Sequence, residues 1–341
     1  MPKHAFQLPQ GQLDTFTLEG GPWLDNCLGD PTARTIGVYI PAECEAGTLY
    51  PVLFDLAGFT GSGLSHLAWK SFGETLPQRI DRLMDEGSLA PAVYVFPDCF
   101  TSLGGNQYVD SSALGQWATW LHESLLPEIR NRYGVRQDAD GCGLFGKSSG
   151  GFGAIHQVLM HGEHWGAAVC HSGDMGFKLC YQRDFPEVLL ALTQSGLSVA
   201  DYIRRLHRRR RISGGEMHVL MTFAMAASYD PDPEQPFGVR LPMDLDTCQI
   251  DPERWRAWQA FDPLTRLESE AAQSNLRGLR GLFIDCGVRD QYHLVYGARR
   301  FSERCQELGI DHVFESFDDT HSGIDYRMDR SLPWLVERLS A

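Results

Sequence analysis

Ser148 stands in a segment that satisfies two chemical motifs at once. Residues 141–148 read Gly-Cys-Gly-Leu-Phe-Gly-Lys-Ser, the spacing of a phosphate-binding loop, and residues 146–150 read Gly-Lys-Ser-Ser-Gly, the spacing of a nucleophile elbow. A phosphate loop needs its strand before the first glycine, so that the chain leaves the sheet there and wraps phosphates with N–H groups. The residues ahead of Gly141, Val135-Arg136-Gln137-Asp138-Ala139-Asp140, are too polar for a buried parallel strand. The apolar pair Leu144-Phe145 lies inside the supposed loop and leads directly to Gly146 and Ser148, the strand, sharp turn, helix order of the elbow. Gly146 and Gly150 leave room where backbone passes close to backbone. A helix running from Ser149 to Met160 would aim its N-terminal dipole and free N–H groups at the serine. Ser148 is therefore the candidate nucleophile for acyl chemistry.

Such a serine needs a base and an acid that orients the base. Behind an elbow these follow as Asp or Glu and then His, each on a loop at the carboxyl end of a strand. Of the later histidines, His321 alone follows the last apolar strand, Val313 to Phe317, across the short loop Asp318-Asp319-Thr320 and ahead of Ser322-Gly323. Asp290 closes the loop Cys286-Gly287-Val288-Arg289-Asp290 behind the strand Leu282 to Asp285 and is the candidate acid, with Asp285 as the alternative. Its work would be to hold the imidazole tautomer and stabilise the imidazolium. The oxyanion donors are assigned to the backbone N–H groups of Ser149 and of Phe59, which lies on the glycine-rich stretch Ala57-Gly58-Phe59-Thr60-Gly61-Ser62-Gly63. Each such donor typically contributes about 3 kcal/mol. Gly58, Asn106 and Gln107 are candidates to touch substrate, as are Tyr229 and Trp255 beside Met225 and Trp258. The stretch His171-Ser172-Gly173-Asp174 lies on the same side by topology.

These residues must be carried by a framework, and the pattern of apolar runs describes one. Runs at Thr35 to Ile40, Pro51 to Leu56, Ala92 to Phe96, Gly143 to Gly146, Ala167 to Cys170, Leu282 to Asp285 and His312 to Phe317 read as strands. Helical spacing fills Ser112 to Tyr133, about Val295 to Leu308, and Leu332 to Leu339. Strands alternating with helices predict an α/β fold with a mostly parallel central sheet and helices on both faces. The alternation fails at 177–261, read as a cap or lid insertion into a core of 1–176 and 262–341. The arginines within it, at 204, 205 and 208–211, read as a solvated helix face.

Composition narrows the function. The 341 residues are 43 % hydrophobic, enough for a substantial core, and the formal charge of −14 gives no reason to expect nucleic acid or an anionic membrane as partner. A small-molecule ester is the expected partner, and homo-oligomerisation is left open. The nine cysteines form no C-x-x-C pair, which suits reduced thiols in the cytoplasm. The segment Met1-Pro2-Lys3-His4-Ala5-Phe6-Gln7 does not open a signal peptide, and no apolar run approaches the roughly 18 residues of a membrane span.

With these residues placed, the chain resembles the putative-esterase group of α/β-hydrolases, which includes S-formylglutathione hydrolase (esterase D), enterochelin esterases, feruloyl esterases and mycolyltransferases. The resemblance runs over 35–176 and 262–335. It rests on Leu56-Ala57-Gly58-Phe59, Phe96-Pro97-Asp98, Gly146-Lys147-Ser148-Ser149-Gly150-Gly151, Asp285-Cys286-Gly287 with Asp290, and His321. It implies the α/β-hydrolase fold and a serine esterase acting on a carboxylic ester or thioester with a Ser-His-Asp triad and no metal or organic cofactor. Acyl transfer by the same triad and a non-enzymatic binding module on a hydrolase scaffold are the alternatives. Three features depart from the group. Ala57, Phe59 and Gly61 replace the L-S-G-L-T-C look of S-formylglutathione hydrolases, which argues against that activity. Lys147 stands where His is commoner, and the insertion at 177–261 is larger than compact members carry.

Overall fold

The computed structural model of the protein describes residues 3–340, so Met1 and Pro2 of the N-terminal reading lie outside it. Eight strands form one sheet: β1 Gln12–Leu18, β2 Arg34–Ile40, β3 Val52–Leu56, β4 Val93–Pro97, β5 Cys142–Lys147, β6 Ala167–His171, β7 Gly281–Gly287 and β8 Val313–Phe317. Their order is β1-β2-β4-β3-β5-β6-β7-β8, with β2 antiparallel to both of its neighbours and the remaining pairs parallel. Strands β3 to β7 are buried along nearly their whole length, as a sheet covered on both faces requires. The seven expected strands are present. Strand β1 escaped the sequence reading because its side chains alternate between exposed and half-buried and never form an apolar run.

Period-two alternation sends Leu53, Phe145, Val169 and Phe283 to one face, where the helices Leu76–Asp85 and Met328–Ser340 cover them. Phe54, Leu144, Ala168 and Ile284 point to the other face, under the helices Ser149–Met160, Glu270–Gly278 and Leu294–Glu307. The helix expected over Ser112 to Tyr133 starts later and is not uniform. Asp110–Ser111 and Gly115–Gln116 form a small antiparallel ladder, made at Gly115 by a positive φ of 103°, before the helical run Trp117–Trp120, a π turn at Leu121–Leu125 and a last stretch Leu126–Arg132. The last helix opens one turn earlier than its apolar spacing indicated, at Met328.

Residues 177–261 add no strand to this sheet. They carry the helices Phe185–Ser195, Val199–Arg208, Gly214–Tyr229 and Pro252–Gln259. Ser213 and Glu216 form a reciprocal capping box at the start of the longest of these. The buried carboxylate of Asp262 accepts from the N–H groups of Gly176, Phe177 and Leu264 at 3.0, 2.8 and 3.1 Å, so the two ends of the segment are fastened at one point. Its arginines pair locally, Arg204 with Asp201 at 3.0 Å and Arg209 with Glu216, as a solvated face does.

The strand order reverses at β3, which has β4 on one side and β5 on the other. In open sheets such a switch leaves a crevice at the carboxyl ends of the strands. The loops after β3, β5, β7 and β8, with Phe59, Ser148, Asp290 and His321, all open at that end.

Candidate functional site

Strand β5 runs through Cys142–Lys147, the interior of the supposed phosphate loop, and its backbone groups are used in ladders with β3 and β6. No phosphate cradle exists there. The chain instead turns sharply at Ser148, whose φ of 58° and ψ of −125° are a conformation that non-glycine residues avoid and that typically costs about 1–3 kcal/mol. Its N–H is held by the carbonyl of His171 at 2.9 Å, and its own carbonyl accepts from Phe152 at 2.8 Å. The two flanking glycines are steric necessities. A Cβ on Gly146 would come within 2.5 Å of the Gly150 carbonyl, and one on Gly150 within 1.7 Å of the Leu56 oxygen. Gly150→Ala is therefore expected to destabilise the fold by more than about 4 kcal/mol, the tail reserved for backbone collisions, read as a collapse in soluble yield or a large drop in the thermal midpoint.

Thirty-one residues apart in sequence, Asp290 and His321 meet. His321 Nδ1 lies 2.8 Å from Asp290 Oδ2, with the two residues only 8 % and 5 % exposed. The other carboxylate oxygen of Asp290 accepts from the N–H groups of Tyr292 and Leu294 at 2.9 and 3.5 Å. The imidazole is fixed further by the His321 N–H to Gln291 Oε1 bond at 3.0 Å and by the edge of Tyr292, with ring centroids 4.7 Å apart. Asp285, the alternative acid, is engaged elsewhere. It accepts from His171 Nδ1 at 2.7 Å and Arg327 Nε at 2.8 Å, and His171 Nε2 reaches Ser331 Oγ at 2.9 Å.

Ser148 and His321 line one cavity of about 410 Å³ together with Gly58, Phe59, Lys147, Asp174 and Tyr181. Gly58 packs against Ser148, since a Cβ there would lie 3.6 Å from Ser148 Cβ. The loop that carries Phe59 is pinned from behind: Gly105 N–H donates to the Phe59 carbonyl at 2.8 Å and Tyr108 Oη to the Ala57 carbonyl at 2.7 Å. Ser149 opens the helix Ser149–Met160, and its hydroxyl accepts from Gln107 Nε2 at 2.8 Å.

The remaining residues singled out from sequence stand behind the wall of the cavity. Asn106 donates to the Cys99 carbonyl and accepts from Tyr108 N–H, while Gln107 and Tyr108 take positive φ values of 61° and 54°. Tyr229 is enclosed by Phe152, Phe177, Tyr181, Trp258 and Phe261, and Trp255 packs on Phe185 and Trp258. The lining from 177–261 is Cys180, Tyr181, Met217, His218 and Met221. Sequence reasoning also missed a charged group in the cavity lining: His66 bound to Asp55, Lys147, and Asp325, which is bound to Lys70 at 2.9 Å. No spacing announces it, because four separate segments supply its members.

Asp174 is a buried carboxylate that faces the cavity and accepts from Tyr181 Oη at 2.7 Å. Burial pushes its carboxyl up to about 6, against the opposing pull of the Tyr181 hydroxyl, the His321 ring and the Ser149 hydroxyl. Between about pH 4 and 6 the unfolded chain has released this proton while the native protein keeps it. Stability therefore falls as pH rises through that window, by about 3 kcal/mol for a shift of this size. Asp174→Asn is expected to remove the slope, matching the parent near pH 4 and exceeding it above pH 6 in urea unfolding measured across the range.

Comparisons with known proteins bear on the family and the fold. The family model described as "Putative esterase" matches residues 31–329. Among solved structures, the chain is similar to a ferulic acid esterase at 18 % identity, covering 96 % of this chain and 99 % of that one with a TM-score of 0.60. It is also similar to an S-formylglutathione hydrolase from Agrobacterium tumefaciens at 17 % identity, with coverage of 98 % and 97 % and a TM-score of 0.59. A third is the fluorophosphonate-binding serine hydrolase F of Staphylococcus aureus, at 13 % identity, 96 % and 98 % coverage and a TM-score of 0.57. No curated protein matches the sequence. Among the described residues no helix is long and apolar enough to cross a membrane. With its mostly parallel sheet and a family match spanning most of its length, the chain belongs to the putative esterase family and is a hydrolase of the α/β-hydrolase fold.

Proposed function

We propose that the protein is a serine esterase that cleaves a small carboxylic ester or thioester through an acyl-enzyme on Ser148. The observation that carries this reading is the buried Asp290–His321 pair, 2.8 Å apart, opening on the same cavity as the strained Ser148. Because Nδ1–H of His321 donates to Asp290, Nε2 is left to face the serine and take its proton. Ser148 Oγ attacks the carbonyl carbon, and the developing oxyanion is held by the N–H groups of Phe59 and Ser149, aided by the N-terminus of the helix behind Ser149. The imidazolium returns its proton to the departing alcohol or thiol, and water activated by the same base then cleaves the acyl-enzyme. In this reading residues 177–261 are a cap, supported by Met217, His218 and Met221 in the cavity wall. The nine free cysteines support a reducing, cytoplasmic setting.

A fluorophosphonate probe, with the modified peptide identified by mass spectrometry, tests the assignment beside a panel of p-nitrophenyl esters from acetate to octanoate. Labelling confined to Ser148 together with ester turnover is the expected result. Absence of both labelling and turnover would overturn it.

A further inference from the structure

The nucleophile's immediate neighbour is a lysine, and the sheet determines where its side chain goes. Phe145 lies on the face covered by Met328–Ser340, and alternation along β5 puts Lys147 on that face too, at the carboxyl end where Asp55 stands on β3. There it lines the catalytic cavity beside His66 and Asp325. The carboxylates around it each have a partner already, with only Asp55 Oδ1 buried and unpaired. Asp55 is bound to His66, Asp325 to Lys70 at 2.9 Å, and Asp290 to His321 at 2.8 Å. Among the described residues the Lys147 ammonium has no hydrogen bond or ion pair, and Asp325 and Asp290 act on it only through space. Burial pushes its ammonium down, against those two carboxylates. An ammonium half-removed from water without a contact partner is a costly arrangement unless something that enters the cavity completes it.

We infer that Lys147 is a specificity residue that pairs with a carboxylate carried by the substrate, so that the preferred substrate of the esterase proposed above is an anionic ester whose charge lies a few bonds from the scissile carbonyl. The adjacency to Ser148 sets this short spacing, since the lysine stem starts one residue from the attacking oxygen. His66, which its contact with Asp55 raises above the ordinary histidine value, adds a second positive group to the same wall when protonated. The lining also includes the apolar side chains Cys180, Met217, Met221 and Leu294, which suit the uncharged end of such a molecule.

The test is calorimetric binding to Ser148→Ala, in which no turnover is expected to obscure affinity. Two pairs are compared: monoethyl glutarate with diethyl glutarate, which place the anion in the acyl part, and acetoxyacetate with its ethyl ester, which place it in the alcohol part. In at least one pair the anion is expected to bind tenfold or more tightly than its neutral counterpart, with a preference that weakens as salt rises. The preference should vanish in Ser148→Ala/Lys147→Met and return in part in Ser148→Ala/Lys147→Arg, while unchanged binding of the neutral esters shows that the cavity is intact. Equal affinities within both pairs, or a preference that survives Lys147→Met, would overturn the inference. Because the readout is binding, the two readings fail separately. Loss of probe labelling and turnover with the preference intact removes the esterase assignment and leaves the anion site. Labelling and turnover without the preference remove only the anion site.

Discussion

Ser148→Ala is expected to lower ester turnover on the order of 10⁴-fold or more. The loss is confined to chemistry because the side chain is small and does not hold the turn. The turn is held by backbone bonds from Ser148 to His171 and Phe152 and by the glycine contacts with Leu56. The thermal midpoint should therefore stay within a few degrees of the parent. Residual turnover above the uncatalysed rate is expected, since the N–H donors of Phe59 and Ser149 remain in place. The measurement is kcat/KM on p-nitrophenyl acetate beside a melting curve of the same preparation. A variant that keeps a tenth of the parental rate would remove Ser148 from the mechanism.

Asp290→Asn should cost about 10⁴-fold in kcat while leaving the fold and the reach of a fluorophosphonate to the cavity unchanged. The reason lies in how the carboxylate is held. One oxygen accepts from the N–H groups of Tyr292 and Leu294, so an amide at this position would turn its oxygen to those donors and its NH₂ to His321. The imidazole would then have to accept at Nδ1 and carry its proton on Nε2, facing the serine with a donor in place of a base. Slow labelling of Ser148 by the probe, with the tautomer read from nitrogen chemical shifts of His321, checks the expected inversion. Full activity in this variant would return Asp285 to consideration, despite its bonds to His171 and Arg327.

The path from sequence to site was clearest where chemistry and strand pattern coincide. Gly146, Ser148 and Gly150 sit at the end of an apolar run, and His321 and Asp290 each follow one, so their positions could be read from order alone. Strand β1 was hidden because an edge strand that keeps water on its surface shows no apolar run. The stretch Gly104 to Tyr108 could be placed near the site but its part could not be read. Positive φ values at Gln107 and Tyr108 are a property of the backbone, and they turn these side chains to brace Ser149 and Ala57 from behind. Tyr229 and Trp255 show the same limit for aromatic residues. Nothing in their spacing distinguishes a cavity wall from the cluster one layer deeper, where packing with Phe185, Tyr181 and Trp258 put them. Lys147, Asp55, His66 and Asp325 meet only because strand alternation and a distant loop aim them at one wall, a relation with no sequence period.

The end of β3 touches both the turn at Ser148 and the loop of Phe59. The Leu56 carbonyl is the surface against which Gly146 and Gly150 are packed, and the next residues of the same strand lead into the loop that carries Phe59. Ser148, Phe59 and the helix behind Ser149, to which the proposed mechanism gives nucleophile, oxyanion donor and dipole, are thus clamped on one piece of backbone. Heat should not loosen the catalytic geometry ahead of the fold, and adaptation to different substrates is left to the parts bolted around it, above all the side chains that 177–261 lends to the cavity.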